Sequence, residues 1–318
     1  MDLPINIKEK IDSFFDGYKL NELKKEAFSI MDRYKNESGK SDILIDSILK
    51  AKIYVAMRMP ATFGSAYDVF KHIFDIYKED INTVTDLGAG PGSASIALSY
   101  LKDIKEIHLL EFDEYMLEVG KEIVDSSDIK DIAKYHKFDI TKDDISFKSD
   151  LVMSSYLLNE LNDVDRKVVI KKMWDATNKI MVIIEPGTPK GYQIIKEVRD
   201  HVINEKGYII TPCSNMDKCP MNSGDWCHFY TRISRSKIHR LLKEGESPFE
   251  DEKYSYIAFS KSPISPNENI ILRHPYIANG FVRLEICDKG EIKTIEVRKK
   301  DKELYKRSRK LKAGDTLK

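Results

Sequence analysis

The stretch Val84-Thr-Asp86-Leu-Gly88-Ala-Gly90-Pro-Gly92-Ser-Ala-Ser constrains the fold more than any other part of the chain. It reads as a short apolar strand, a turn with glycine at three alternate positions, and the start of a helix. Glycine lets a backbone turn sharply and come close to a ligand, and a helix N-terminus offers unpaired amides. The rhythm around the loop is of the same kind. Short apolar runs recur at Thr83–Leu87, Glu106–Glu111, Tyr135–Ile140, Asp150–Ser154, Ile180–Glu185 and Tyr254–Ser260, with helical patterns between them. Strands alternating with helices predict a doubly wound α/β sheet, whose ligands sit beyond the carboxyl ends of the strands.

The flanks differ. Before residue 81 the pattern is helical: Leu23, Ala27, Ile30, Met31 and Tyr34 share one face, and Ser41 or Asp42 is placed to cap a second helix carrying Ile45, Ile48, Leu49 and Lys52. A third helix is expected to bury Ala66, Phe70, Ile73, Phe74 and Tyr77. Between them Pro60 removes a backbone donor and restricts Met59, which predicts an interruption, with Arg58 beside it as a helix-end cation rather than a functional lip. Beyond Pro263 and Pro266, the segment Phe281–Arg298 predicts a β-hairpin turning at Asp288-Lys289-Gly290. The chain thus divides into a helical region 1–80, an α/β domain 81–262 with a cysteine-rich loop 211–230, and a small β module with a basic tail, 263–318.

Composition enters through charge. The formal net charge is zero, but from Lys293 onward eleven Lys or Arg face four Asp or Glu, so this tail is about +7 and the rest about −7. A basic tail on an acidic body points to a polyanion such as RNA, and a solvated terminal helix is the plainer reading. No apolar run reaches the eighteen residues a membrane span requires, and the first ten residues have no apolar segment of a signal or transit peptide. A reducing cytoplasmic setting is expected, where clustered cysteines act as metal ligands or redox groups.

Three of the four cysteines, Cys213, Cys219 and Cys227, lie within fifteen residues, and Cys287 follows sixty residues later. The spacing C-x5-C-x7-C lacks the close knuckles of structural zinc. An iron–sulfur cluster tolerates longer loops and would use all four thiolates. Zinc stays open as the alternative. Trp226, Phe229 and Tyr230 flank the third cysteine as candidate shields, and His228 reads as packed rather than ligating.

The glycine loop is G-x-G-x-G rather than the dinucleotide G-x-G-x-x-G, since Ser93 stands where a third glycine would fall. With Asp86 just before the glycines, it resembles motif I of the class I S-adenosylmethionine-dependent methyltransferases. That resemblance implies a Rossmann-like fold and cofactor contacts at Asp86, Gly88, Gly90 and Gly92, with Glu111 holding the ribose hydroxyls, Asp139 near the adenine, and Ser155 in the floor supplied by the fourth strand. No catalytic base stands out. The Asn/Asp-Pro-Pro-Tyr signature is absent, and Thr211-Pro212-Cys213-Ser214 only superficially matches a Pro-Cys nucleophile.

A wider set of motifs is more specific: Arg58-Met-Pro60-Ala-Thr62, Glu185-Pro-Gly-Thr-Pro189-Lys-Gly191, the clustered cysteines with Trp226-Cys-His-Phe229, and Glu250-Asp-Glu-Lys-Tyr-Ser-Tyr256. Together with the glycine loop they resemble the ribosomal small-subunit Rsm-type methyltransferase-like family, which includes mitoribosomal small-subunit assembly factors. The resemblance implies a [4Fe-4S] cluster on Cys213, Cys219, Cys227 and Cys287, and the small ribosomal subunit with its RNA as partner, with no DNA. Asn215 stands where a His is expected, and Ala313-Gly-Asp315 where Trp-Gly-Asp is common. Three readings follow: a methyltransferase for ribosomal RNA, a non-catalytic assembly factor with a structural cluster, and a small-molecule or protein methyltransferase with zinc.

Overall fold

The computed structural model describes residues 2–37, 45–243 and 245–317. Its elements are α1 (Ile5–Ser13), α2 (Leu20–Glu37), α3 (Ile48–Ile76), β1 (Thr83–Leu87), α4 (Ser93–Ser99), β2 (Glu106–Glu111), α5 (Glu114–Asp125), β3 (Ala133–Lys137) and β4 (Ser149–Ser155). There follow α6 (Asp163–Ala176), β5 (Thr177–Pro186), α7 (Pro189–Asn204), β6 (Tyr208–Thr211), β7 (Phe229–Ser234), α8 (Lys237–Leu242) and β8 (Phe249–Ser260). The last are β9 (Asn269–Ile271), β10 (Tyr276–Ala278), β11 (Phe281–Asp288), β12 (Glu291–Arg298) and α9 (Lys302–Ser308).

Eight strands form the main sheet in the order β3-β2-β1-β4-β5-β8-β6, with β7 also paired to β8. Strands β1 to β5 run parallel, and β8 is antiparallel to β5, β6 and β7. The winding reverses between β1 and β4, which opens the crevice where such sheets bind ligands. Both faces are covered, so the strands are apolar on both sides. One face packs Val84, Ile107, Leu109 and Val182 under α3, α4 and α5. The other packs Val152, Met181, Ile183 and Phe259 against Val169, Met173, Val198 and Val202 of α6 and α7.

The predicted interruption at Pro60 does not occur. Helix α3 runs unbroken for 29 residues with Pro60 inside it, and Ser47 caps it by accepting the Lys50 amide at 3.3 Å. An interior proline costs roughly 3 kcal/mol. Ile53, Met59, Phe63, Phe70 and Ile73 are all fully buried along this helix, and each such side chain contributes about 1.5–3 kcal/mol. Packing therefore outweighs the missing hydrogen bond. The second and third helices read from the pattern are this one helix, and Arg58 lies mid-helix rather than at an end. It crosses β7 so closely that a Cβ on Gly64 would meet Ile233 Cγ2 at 2.7 Å. The proposed cap at Ser41 or Asp42 and the side chain of Tyr34 lie outside the described residues.

A second sheet of four strands has the order β10-β11-β12, with β9 on β11. The expected hairpin is β11–β12. Asp288 pairs with Glu291 across a two-residue turn in which Lys289 and Gly290 have φ of 46° and 87°, as a primed turn requires. Ile271, Val282, Leu284, Ile286 and Val297 form its core, against which Tyr305 and Leu311 of the basic segment pack. That segment is returned to the body of the molecule: the Gly314 amide donates to Ile271 O at 2.8 Å, and Lys312 lies 3.2 Å from Asp68 of α3.

Candidate functional site

A cavity of about 490 Å³ opens at the carboxyl ends of β1, β2 and β4, walled on one side by Tyr54, Arg58, Met59 and Thr62 of α3. Asp86, Gly88, Gly90, Glu111, Asp139 and Ser155 all line it. Gly92 does not; it is the N-cap of α4. Gly88 and Gly90 both have positive φ, 62° and 53°, but they do different things. A Cβ on Gly88 would strike Leu157 at 2.8 Å, whereas one on Gly90 would meet nothing within 4 Å, because that position faces the open cavity.

The chain's own backbone shapes the acidic wall. Gly90 N donates to Glu111 Oε2 at 2.8 Å, and Phe112 N and Asp113 N donate to Oε1 at 2.8 and 2.9 Å. Burial raises the Glu111 pKa against the pull of these amides. Asp86 is buried and accepts from Ser95 Oγ at 2.8 Å; burial pushes its carboxyl up to about 7. Tyr135 braces the loop by donating to Gly90 O at 2.8 Å. Asp139 lies beyond the end of β3 rather than on it. Its carboxylate is already engaged by Thr141 N, Thr141 Oγ1 and Lys142 Nζ at 3.1, 2.7 and 2.8 Å, and Lys142 with Thr141 holds its pKa down. Ser93 Oγ and Ser155 Oγ are buried at the cavity wall with no hydrogen-bond partner among the described residues.

In the sequence Glu160 and Tyr156 of this wall have no role of their own, and Arg58 and the nearby Glu185 stand out only as parts of motifs. Glu160 lines the cavity, and burial followed by the charge of Glu111 pushes its carboxyl up to about 7. Glu185, fully buried at the end of β5, accepts the Leu158 amide at 2.8 Å, and burial pushes it up to about 8. It thereby fixes the loop after β4. Tyr156 in that loop has φ 61°, donates to Ser65 Oγ at 3.0 Å, and lies under Arg58, whose guanidinium sits 5.4 Å from its ring. Arg58 also bonds Glu252 of β8 at 3.1 Å. These contacts join segments far apart in the chain, so no local pattern reports them.

A second, small cavity of about 50 Å³ is lined by Cys213, Cys219, Cys227 and Cys287, together with Tyr192, Arg199, Phe229 and Tyr256. None of the four cysteines is in a disulfide. Cys287 arrives on β11, whose hairpin turn is held to the loop after β6 by Gly290 N donating to Ser214 Oγ at 3.4 Å. Tyr192 Oη lies 3.3 Å from Cys219 Sγ. The buried Arg199 guanidinium donates to Asn215 O at 3.2 Å and to Asp217 O, and its Nε has no partner. Burial pushes the Cys213 thiol up to about 11 against the pull of Arg199, and it raises Cys227 and Cys287 too. Of the candidate shields, Phe229 reaches this cavity. Trp226 stacks on His228 with centroids 5.4 Å apart, and its Nε1 donates to Gly187 O at 3.0 Å. Among the described residues no three His, Cys, Asp or Glu side chains are gathered tightly enough to hold a single metal ion.

The strand order, the antiparallel strand inserted beside β5 and the glycine loop after β1 define an α/β Rossmann-like methyltransferase fold with a mixed sheet. Residues 48–318 match the family model described as mitochondrial small ribosomal subunit Rsm22, and the chain belongs to that family. It is 22% identical over 293 residues to the human protein named ribosome assembly protein METTL17, mitochondrial. That match takes in 83% of this chain and 62% of the relative, so the chain spans less than two thirds of the relative's length. Solved structures that resemble it include the N-methyltransferase NodS of Bradyrhizobium japonicum with S-adenosylhomocysteine, at 8% identity and TM-score 0.45, covering 75% of this chain and 99% of that one. Another is the magnesium protoporphyrin IX methyltransferase of Synechocystis with its methyl donor bound, at 10% identity and TM-score 0.40, covering 82% and 100%. No helix among the described residues is long and apolar enough to cross a membrane.

Proposed function

We propose that the chain binds S-adenosylmethionine in the larger cavity, holds an iron–sulfur cluster on its four cysteines, and acts as a methyltransferase-like factor on the small ribosomal subunit and its RNA. The observation that carries the first part is the convergence of Asp86, Glu111 and Glu160 on one cavity beside an open glycine. Clustered carboxyls repel one another, and a ligand with cationic groups and hydroxyls relieves that repulsion. In this reading Glu111 takes the ribose hydroxyls with the lone pairs its amides leave free, and Gly90 admits the ligand against the backbone. Ser93 and Ser155 supply hydrogen bonds that nothing among the described residues uses. Asp139, tied to Lys142 and Thr141, is a rim contact at most. The bound cofactor supplies a methyl group on sulfonium.

The cysteine set is read as holding a cluster rather than a lone ion. Tetrahedral zinc draws four sulfurs to within about 2.3 Å of one point, whereas a four-iron cluster is held by thiolates spread around a larger body. That Cys213, Cys219, Cys227 and Cys287 line one cavity supports taking all four as one ligand set, and iron and sulfide analysis distinguishes the two arrangements. Arg199 offers a buried cation to Cys213, whose thiol burial otherwise keeps protonated, and Tyr192 offers a hydroxyl to Cys219.

A non-catalytic role is the second reading, and it too rests on an observation: Tyr156 and Arg58 at the cavity wall are committed to Ser65 and Glu252. Calorimetric titration with S-adenosylmethionine and S-adenosylhomocysteine, followed by labelled-methyl transfer to immature small-subunit particles, separates the readings. Binding with transfer supports an enzyme, binding without transfer an assembly factor, and no binding removes the cofactor from both. Protein purified without oxygen is expected to be brown and to contain iron and sulfide; stoichiometric zinc without sulfide would sink the cluster. The cytoplasmic placement belongs to this proposal, and the human relative is mitochondrial by name.

A further inference from the structure

The second sheet carries surface side chains that neither cavity uses. Its inner face is filled by Val282, Leu284 and Val297. On the outer face Tyr276 of β10 stands opposite Arg283 of β11, and Phe281, two residues before Arg283, shares that face and pairs with Arg298 of β12. Tyr276 is 60% exposed. The Tyr276 and Phe281 ring centroids are 6.2 Å apart, and the Arg283 guanidinium sits 5.7 and 5.6 Å from them. Glu296 anchors Arg283 at 3.0 Å and lies 3.8 Å from Arg298. Lys299 and Lys300, both exposed, continue the strand at the Phe281 end.

An exposed tyrosine and a half-buried phenylalanine with a guanidinium beside them, bordered by the exposed cations Arg298, Lys299 and Lys300, suit a polyanion that also offers flat apolar faces. Unpaired nucleotides have both; a duplex keeps its base faces stacked and presents phosphate alone. Residues 293–318, with their charge of about +7, supply the complementary field. We propose that this face is a stacking platform for single-stranded RNA, with bases on Tyr276 and Phe281 and phosphates on Arg298, Lys299 and Lys300. The proposal rests on the reading of the protein as a partner of ribosomal RNA and specifies which kind of RNA it grips.

The test uses the full chain purified without oxygen, a labelled oligouridine and an RNA duplex of equal charge, with anisotropy read across a salt series. Tighter binding of the single strand is expected. Tyr276→Ala should weaken it about tenfold without changing the salt slope, while Tyr276→Phe stays within about twofold, because stacking rather than charge is removed. Lys299→Ala with Lys300→Ala should flatten the slope. An unchanged affinity in Tyr276→Ala, with the lysine variant still weakened, overturns the platform and leaves the RNA role standing, as does equal affinity for the duplex. Failure of the unaltered protein to bind either RNA overturns both. Loss of single-strand binding accompanied by gain of none on Tyr276→Phe also overturns it, since the phenyl ring keeps the stack.

Discussion

The two cavities differ in how far the chain completes them. The larger, about 490 Å³, is shaped by backbone: three amides hold Glu111, a serine holds Asp86, and a tyrosine braces the glycine loop. The smaller, about 50 Å³, is walled by apolar side chains around four cysteines, and burial holds the protons of Cys213, Cys227 and Cys287 in place. A site of the first kind stands ready for a ligand that comes and goes. A site of the second kind turns anionic only when a cation compensates it, so occupancy and folding are linked there.

Breaking the smaller cavity should have the largest effect. Cys227→Ser is expected to bring iron and sulfide close to zero and to lower the melting temperature of the whole chain. Cys287→Ser should do the same and also loosen the hairpin, visible as faster amide exchange in β11 and β12. A Cys227→Ser protein that melts with the unaltered one would show that the two cavities are not different in kind.

Gly90→Val probes the larger cavity. Its side chain enters open space, so the expected result is at least a hundredfold loss of cofactor affinity by calorimetry, with only about 1–2 kcal/mol lost to the left-handed backbone. Retained affinity would mean that the ligand does not approach this glycine. A collapse of stability instead of affinity would mean that the cavity depends on its contents as the thiol cavity does.

The smallest effect concerns pH. Asp86, Glu160 and Glu185 have folded pKa values raised to about 7, 7 and 8 from ordinary values of 3.8, 4.5 and 4.5. The folded state therefore holds protons that the unfolded state has already released, and stability should fall as pH rises from about 4 towards 8, then level off. Glu185→Gln should remove the largest part of that slope in melts followed across this range. Bound cofactor should flatten what remains if its cationic groups face Glu160. An unchanged slope in Glu185→Gln would place the buried protons elsewhere.

What could be read from the sequence was local. β1 and β2 fall where their apolar runs begin and end, and the hairpin turns at Lys289-Gly290 because Gly290 takes one of its two positive φ values freely. The glycine loop, Asp86, Glu111 and Ser155 reach one cavity because parallel strands in register bring their ends together. What escaped was tertiary. Pro60 is tolerated through packing on both sides of it; β6 is only four residues long, and β7 carries Arg232 among its apolar positions. Glu160 and Arg58 depend on Glu111 and Glu252, partners on other elements that no periodicity reveals.

Helix α3 spans about 44 Å. Arg58 lines the larger cavity, and about 21 Å further along His72 lies 3.3 Å from the hydroxyl of Tyr256, which lines the smaller one. A rod of this kind shares displacement between its ends unless it has a joint. Pro60 provides one: the carbonyl of Ala56 has no amide to receive, so bending resistance is lowest two residues past Arg58. Tyr54, Arg58 and Thr62 line the larger cavity from both sides of that weak turn, while His72 reaches the wall of the other cavity from a proline-free stretch of the helix, so the two sites are served by parts of one rod of unequal stiffness.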